Sequence, residues 1–371
     1  MMYQLLEFRG LKVRTVPPYF SVIKQHYKQE WKGLTLGDLL ERGVWKSHQF
    51  GVQRALDTGM IKINNLPCTL ETVVKPHDVL FQTMHRHEPP VLHVSAEEMI
   101  VYDDGDIVVI NKPCTVPIHP SGAYNLNSVV EICKQELGMQ IKPIHRLDRL
   151  VSGLVVFSRK SSTAKRLSLC LSQTHPGSIV KKSYLARVTG KFENEGNPWR
   201  LVSVGIFTVD VKTSTYECND VMGKESQSRF ALLSYCERTN TSLVQCEPLT
   251  GRTHQLRLHL QYIGHPIVND PIYGPNGKLT LHVDTEEEQA YTKAATELDL
   301  PVTATAEYSA ELAQEMLNAC EGCRRTRRPP NPLGIWLHSM RFRVFERDEL
   351  IYEFECPPPV WADQDEVRLL D

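Results

Sequence analysis

The stretch His145-Arg146-Leu147-Asp148-Arg149-Leu150-Val151-Ser152-Gly153-Leu154-Val155-Val156-Phe157 decides how this chain is read. One acidic residue lies between two arginines. A small pair, Ser152-Gly153, follows, and then the unbroken apolar run Leu154–Phe157. Such a run reads as a buried strand, which would hold the preceding turn rigidly. Asp148 is then a carboxylate fixed beside a strand and bracketed by guanidinium groups. A carboxylate in a basic cleft suits nucleophilic work on an anionic polymer. Taken alone, the same pattern also describes a structural ion pair at a turn, because such networks perturb carboxylates without any chemistry.

The charge distribution favours chemistry. The chain of 371 residues has a formal net charge of −2. Residues 141–190 hold ten Lys or Arg and a single acid, Asp148, while residues 281–320 hold nine Asp or Glu and one Lys. A basic surface around a lone carboxylate is an electrostatic footprint for a phosphate backbone.

At 41% apolar residues, the chain can bury a sizeable core as one large domain or two smaller ones. It has no run long enough to span a membrane. The first twenty residues carry three basic residues and one Glu. They are too polar for a secretory signal and only faintly like a mitochondrial presequence. An intracellular protein is expected, cytoplasmic or mitochondrial, with the nucleus left open. The ten cysteines lack a framework spacing, as in reduced, structural thiols. Cys320 and Cys323 form one isolated CxxC. A zinc site normally takes four ligands, so no metal is assigned.

Residues 1–90 read as an N-terminal module, closed by the breaker Pro89-Pro90. Leu36, Leu39 and Leu40 take helical spacing, as do Val52 and Leu56. Met60–Asn65 reads as a short strand and hairpin. Residues 91–371 read as the catalytic domain, interrupted at about 276–333 by an acidic insertion. Within it, Val108–Ile110, Ser183–Val188, Arg229–Ser234 and Ser242–Cys246 read as strands, and Asn127–Leu137 and Ser161–Leu171 as helices. Strand character resumes from Ile335 to Phe354.

A second dense motif is Leu249-Thr250-Gly251-Arg252-Thr253-His254-Gln255-Leu256-Arg257-Leu258-His259-Leu260. Gly251 permits a tight entry, and Thr250 is a candidate cap for the helix that follows. Leu256, Leu260 and Ile263 form one apolar stripe. His254, Arg257 and Gln261 fall on another face, away from that stripe. One amphipathic helix of this kind is not specific.

The combination is specific. Four stretches in order resemble the RluA-type pseudouridine synthases: Asp103–Pro120, the HRLDRLVSGL motif at 145–154, Tyr184–Gly190, and Leu249–Gly274. Val151 stands where that family commonly has Thr. GLKVRTVPPYF and HRHEPPV, His85–Val91, resemble the eukaryotic branch acting on the tRNA anticodon loop, although HRHE alone reads as a solvated linker. The resemblance implies an α+β core built on a mostly antiparallel mixed sheet with a central cleft. It also implies isomerisation of a specific uridine in structured RNA, with tRNA as the target and rRNA as the alternative.

The resemblance implies roles for individual residues. Asp148 is the essential carboxylate, Arg257 pairs with it, and Tyr184 stacks on the uracil. Arg146 fills the space the extruded base leaves. Lys112, His145, Arg149 and Arg252 contact RNA. The reaction changes no oxidation state, so no cofactor and no metal are expected, and the enzyme is read as a monomer without membrane or nucleotide partners. A catalytically idle RNA-binding assembly factor with the same fold is the reading from another class. A general glycosidase normally needs two carboxylates flanking the bond, and the core motif shows one. No Pro-Cys-x-x-Cys deaminase signature and no Asp-Phe-Gly kinase signature accompanies these motifs.

Overall fold

The two apolar runs Val108–Ile110 and Leu154–Phe157 are neighbouring strands with both faces covered. In the computed structural model, Val108, Ile110, Val155 and Phe157 enter one core, and Ile107, Val109, Leu154 and Val156 enter another. A strand buried on both sides has no polar alternation to show, which is why these segments read as continuous apolar runs. The structure describes residues 3–43, 51–171, 177–193, 196–210, 215–275, 290, 293–294 and 334–362. Most of the acidic insertion, including Cys320 and Cys323, lies outside the described residues.

The chain divides into two units. One contains residues 15–90, the other residues 7–14, 91–288 and 329–371. Residues 7–14 therefore group with the second unit rather than with the rest of the N-terminal segment. Arg14 explains this. It is fully buried and donates to Asn127 Oδ1 at 3.2 Å, Glu136 Oε1 at 2.7 Å and Gln135 Oε1 at 2.8 Å.

In the first unit, strands β1 (Tyr19–His26), β2 (Ile61–Ile63), β3 (Leu66–Pro67) and β4 (Val79–Arg86) form an antiparallel sheet in the order β1-β4-β2-β3. Asn64 and Asn65 both take positive φ, as a two-residue hairpin turn requires. Helix α1 (Leu36–Glu41) starts at a capping box between Thr35 and Asp38. With α2 (Val52–Asp57) it packs Leu36, Leu39, Ala55 and Leu56 into the small core. The HRHE segment is no solvated linker. His85 is 3% exposed, with its ring 5.0 Å from Phe20 and 4.7 Å from His87, and Tyr19 donates to Glu88 at 2.5 Å.

The second unit is built on a ten-stranded sheet. Its strands, in chain order, are β5 (Ile100–Asp103), β6 (Ile107–Lys112), β7 (Lys142–Pro143), β8 (Ser152–Ser158), β9 (Ser178–Thr189), β10 (Arg200–Ser203), β13 (Gln227–Cys236), β14 (Thr241–Pro248), β15 (Leu337–Glu346) and β16 (Glu349–Glu355). Between β10 and β13, β11 (Ile206–Asp210) and β12 (Thr215–Cys218) make a separate hairpin. The main order is β10-β13-β14-β9-β15-β8-β6-β5, with β7 on β8 and β16 on β15. All pairings are antiparallel except β8 with β15. The fold is α+β, with helices α3 (Val129–Leu137), α4 (Ser161–Leu171) and α5 (Gln255–Tyr262) packed against the sheet. Gly138 ends α3 in the left-handed conformation.

The parallel pair aligns Ser152 with His338 and Gly153 with Ser339. Gly153 has φ +105°, and a Cβ there would sit 2.3 Å from the Ser339 carbonyl oxygen. Both the backbone conformation and the contact demand glycine. Gly153→Ala should therefore cost more than about 3 kcal/mol, or prevent folding. Urea unfolding measures this, and a loss below about 1 kcal/mol would show that the strand pair yields easily.

Candidate active site

The turn carrying Asp148 is held from several sides by main-chain contacts. Ile144 N donates to Val156 O at 3.0 Å, Val151 N to Asp148 O at 3.1 Å, and Ile335 N to Leu150 O at 2.9 Å. The fully buried Lys112 amine donates to Pro113 O at 2.9 Å, Val116 O at 2.8 Å and Arg149 O at 3.1 Å. Burial lowers its pKa to about 7. Lys112 is thus not the RNA contact the sequence suggested: its three donors are spent inside the protein, one on the carbonyl next to Asp148. His145 is also internal. Its Nε2 accepts from Val156 N at 3.1 Å, its ring stacks on Phe342 at 5.0 Å, and burial holds its pKa well below the usual value. It is a neutral positioning side chain rather than a cation for phosphate.

Opposite this turn stands α5. The expected Thr250 cap is absent. The residue before the helix is His254, at φ 57°, and the Thr250 hydroxyl instead accepts from Gln227 N and donates to Gln255 Oε1. Of the polar face, Gln261 is exposed but Arg257 is not, and every residue from Gln255 to Leu260 is buried. Arg257 is 3% exposed and forms a bidentate pair with Asp270, Nε to Oδ2 at 2.6 Å and Nη2 to Oδ1 at 2.9 Å. Its remaining Nη1 reaches Asp148 Oδ2 at 3.3 Å. Asp270 Oδ1 also accepts the Ile272 and Tyr273 amides at 2.9 and 3.0 Å. Burial pushes the Asp270 carboxyl up, but the Arg257 hydrogen bonds and charge and the two amides outweigh it and hold the pKa below its ordinary value.

His254 completes the cluster. Its Nε2 lies 3.6 Å from Asp148 Oδ2, and its Nδ1 bonds the Tyr273 hydroxyl at 2.9 Å. Burial lowers the His254 pKa against the pull of Asp148. Burial raises the Tyr273 phenol to about 12, and its ring lies 4.8 Å from the Arg257 guanidinium carbon. Tyr184, on β9, is 7% exposed, and burial pushes its phenol up against a hydrogen bond from Ser339.

Asp148, Tyr184, Arg257, Arg146, Arg252 and His145 line one cavity of about 410 Å³. The exposed Arg146 and Arg252 stand at its wall, Arg252 Nε donating to Glu225 O at 3.0 Å. Arg149 does not line this cavity; its guanidinium lies 5.3 Å from the Tyr124 ring. The basic segment is less naked than its count suggested. Arg159 pairs with Asp103, Lys160 with Asp106 and Arg166 with Glu346. Sequence reasoning missed Asp270 and Tyr273, and counted Lys182 only within the basic segment. It noted His254 only by its spacing to Arg257, the one available signal.

Residues 106–262 match the family profile of RNA pseudouridylate synthases. The chain is 31% identical to "tRNA pseudouridine(32) synthase, mitochondrial" of Saccharomyces cerevisiae, over 91% of its own length and 73% of that protein. It belongs to the RluA-type RNA pseudouridine synthase family. RNA pseudouridine synthase 7 of Arabidopsis thaliana is 33% identical over 94% of this chain and 86% of its own. The tRNA pseudouridine(31) synthase of S. cerevisiae is 28% identical over 95% and 96%. This pseudouridine synthase is accordingly an isomerase that converts uridine to pseudouridine in RNA. Among the described residues, no helix is long and apolar enough to cross a membrane.

The shared guanidinium makes two variants informative. Arg257→Ala strands the buried Asp270 carboxylate and should cost about 3–5 kcal/mol. Asp270 titrates lower in the folded chain than in the unfolded one. Its stabilising contribution is therefore complete above the unfolded carboxyl value, about pH 4, and is lost as pH falls through the folded one. Asp270→Asn should flatten the acid limb of a Tm-against-pH curve. An unchanged acid limb would show that the pair contributes nothing to acid stability.

Proposed function

We propose that this synthase acts on tRNA at a uridine of the anticodon loop, with Asp148 as its essential carboxylate. The observation that carries the reading is the Asp148 carboxylate at the cavity wall, touched by a guanidinium that a second, buried carboxylate orients. The tRNA target draws on the relatives, two of which are named for tRNA positions 32 and 31. Mitochondrial tRNA is to be tested beside cytoplasmic tRNA, since one of them is named as mitochondrial.

The reaction breaks the C1′–N1 bond, turns the uracil and joins C1′ to C5. The C5 proton leaves, and N1 ends up protonated. Asp148 takes part in breaking the glycosidic bond. Arg257 orients it through a single Nη1 contact. Tyr184, kept protonated at neutral pH by burial, offers an aromatic face to the uracil and an O–H that can donate. Extruding the uridine costs a few kcal/mol, less from a loop than from a duplex. Arg146, exposed at the cavity wall, fills the vacated space, and Arg252 contacts a phosphate. The N-terminal unit of residues 15–90 adds RNA contacts.

The test is to map pseudouridines in total RNA from cells with and without the protein, then from cells carrying Asp148→Asn. An anticodon-loop pseudouridine should vanish without the protein and not return with the variant. In vitro, Asp148→Asn should bind RNA within about threefold of the parent while turnover falls by several orders of magnitude. Loss confined to an rRNA position would overturn the tRNA target, and substantial turnover by a folded Asp148→Asn would overturn the carboxylate assignment.

A further inference from the structure

Lys182 is a cation whose charge no described residue answers with a hydrogen bond or ion pair. It stands on β9 two residues before Tyr184, and both side chains line the cavity that holds Asp148. In the pairing with β15, its strand neighbour is Phe342. Among the described residues, its amine has no hydrogen-bond or ion-pair partner, and its side chain is only partly exposed. Burial lowers its pKa to about 8, with no carboxylate close enough to offset the loss of hydration. This contrasts with Lys112, whose amine is satisfied by three carbonyls. An unpaired, partly buried ammonium favours an anionic partner, and a titratable group perturbed in a cleft is a candidate functional residue.

The chemistry of the missing partner follows from the substrate. The established reaction brings a ribonucleotide into this cavity, and the anionic groups of RNA are its phosphates. At about 410 Å³, the cavity falls in the ordinary range for small-molecule sites and takes more than a bare base. We propose that Lys182 binds a phosphodiester oxygen adjoining the target uridine once that nucleotide has entered the cavity. The proposal deepens the reading above and rests on it.

The other ionisable groups on the cavity wall are His145, Arg146 and Asp148 from the turn, Arg252, His254 and Arg257 from the segment of α5, and Tyr184. Burial moves His145 and His254 down and Tyr184 up, away from pH 8. Deprotonation of Lys182 should therefore appear as weaker RNA binding as pH rises through about 8.

Lys182→Met and Lys182→Arg are to be compared with the parent in single turnover on a tRNA transcript with uridine at position 32. Two further RNAs carry a neutral methylphosphonate in place of the phosphate on the 5′ or the 3′ side of that uridine. Lys182→Met should raise the half-saturating RNA concentration at least about tenfold, with the maximal rate within about threefold. Lys182→Arg should keep binding near parental and lose its weakening above pH 8. One of the two neutral linkages should weaken the parent as much as Lys182→Met does, and should weaken Lys182→Met no further. The proposal is overturned if the maximal rate falls while half-saturation is unchanged, or if both linkages cost the parent and Lys182→Met equally. No turnover of the transcript by the parent counts against the tRNA reading; Lys182 is then decided by direct binding of the same three RNAs, with the same outcomes.

Discussion

The site depends on one guanidinium serving two carboxylates unequally. Arg257 gives Asp270 its short, two-pronged contact, and Asp148 only the outer edge of the fork at 3.3 Å. A planar guanidinium fixed along one edge has no freedom left along the other. Asp270, itself pinned by two backbone amides, thereby sets where Arg257 points and where Asp148 finds its counter-charge. The tighter bonds hold the carboxylate that is sealed from the cavity. The looser bond leaves Asp148 anchored yet facing the cavity.

The opposite half of the site is held by main chain. Lys112 draws three carbonyls together, one of them immediately beyond Asp148. Gly153 lets β8 lie against Ser339 with no side chain between. Such contacts tolerate little adjustment, because backbone cannot switch rotamers. The cavity therefore has a rigid floor, while Arg146 and Arg252 stand exposed at its wall.

Much of this was legible in the sequence, and the failures have physical reasons. The strand after Asp148, the helix stopped by Gly138 and the Asn64-Asn65 turn are local features, and local features leave local patterns. The meeting of Asp148, Tyr184 and Arg257 followed from motif order, which encodes the fold even though spacing does not. Asp270 was invisible because a buried carboxylate in a Pro-rich turn looks like any turn aspartate until its partner is known. Lys112 and His145 were misread because charge-bearing residue types suggest solvent, whereas here the backbone consumes their donors and acceptors. The burial of α5 on both faces was hidden for the same reason: Gln255, Arg257 and His259 are polar residues satisfied inside.

One pairing also bears on how the enzyme comes to exist. Ser152 and His338 are partners across 186 residues of chain. The brace for the turn that carries Asp148 is therefore made 186 residues after the strand it meets. Long-range pairings of this kind form late, after the entropy of closing a large loop has been met. A nascent chain displays the motif and its arginines well before this pairing can form. Synthesis thus sets an order: the motif emerges first, and the strand that braces it follows 186 residues later.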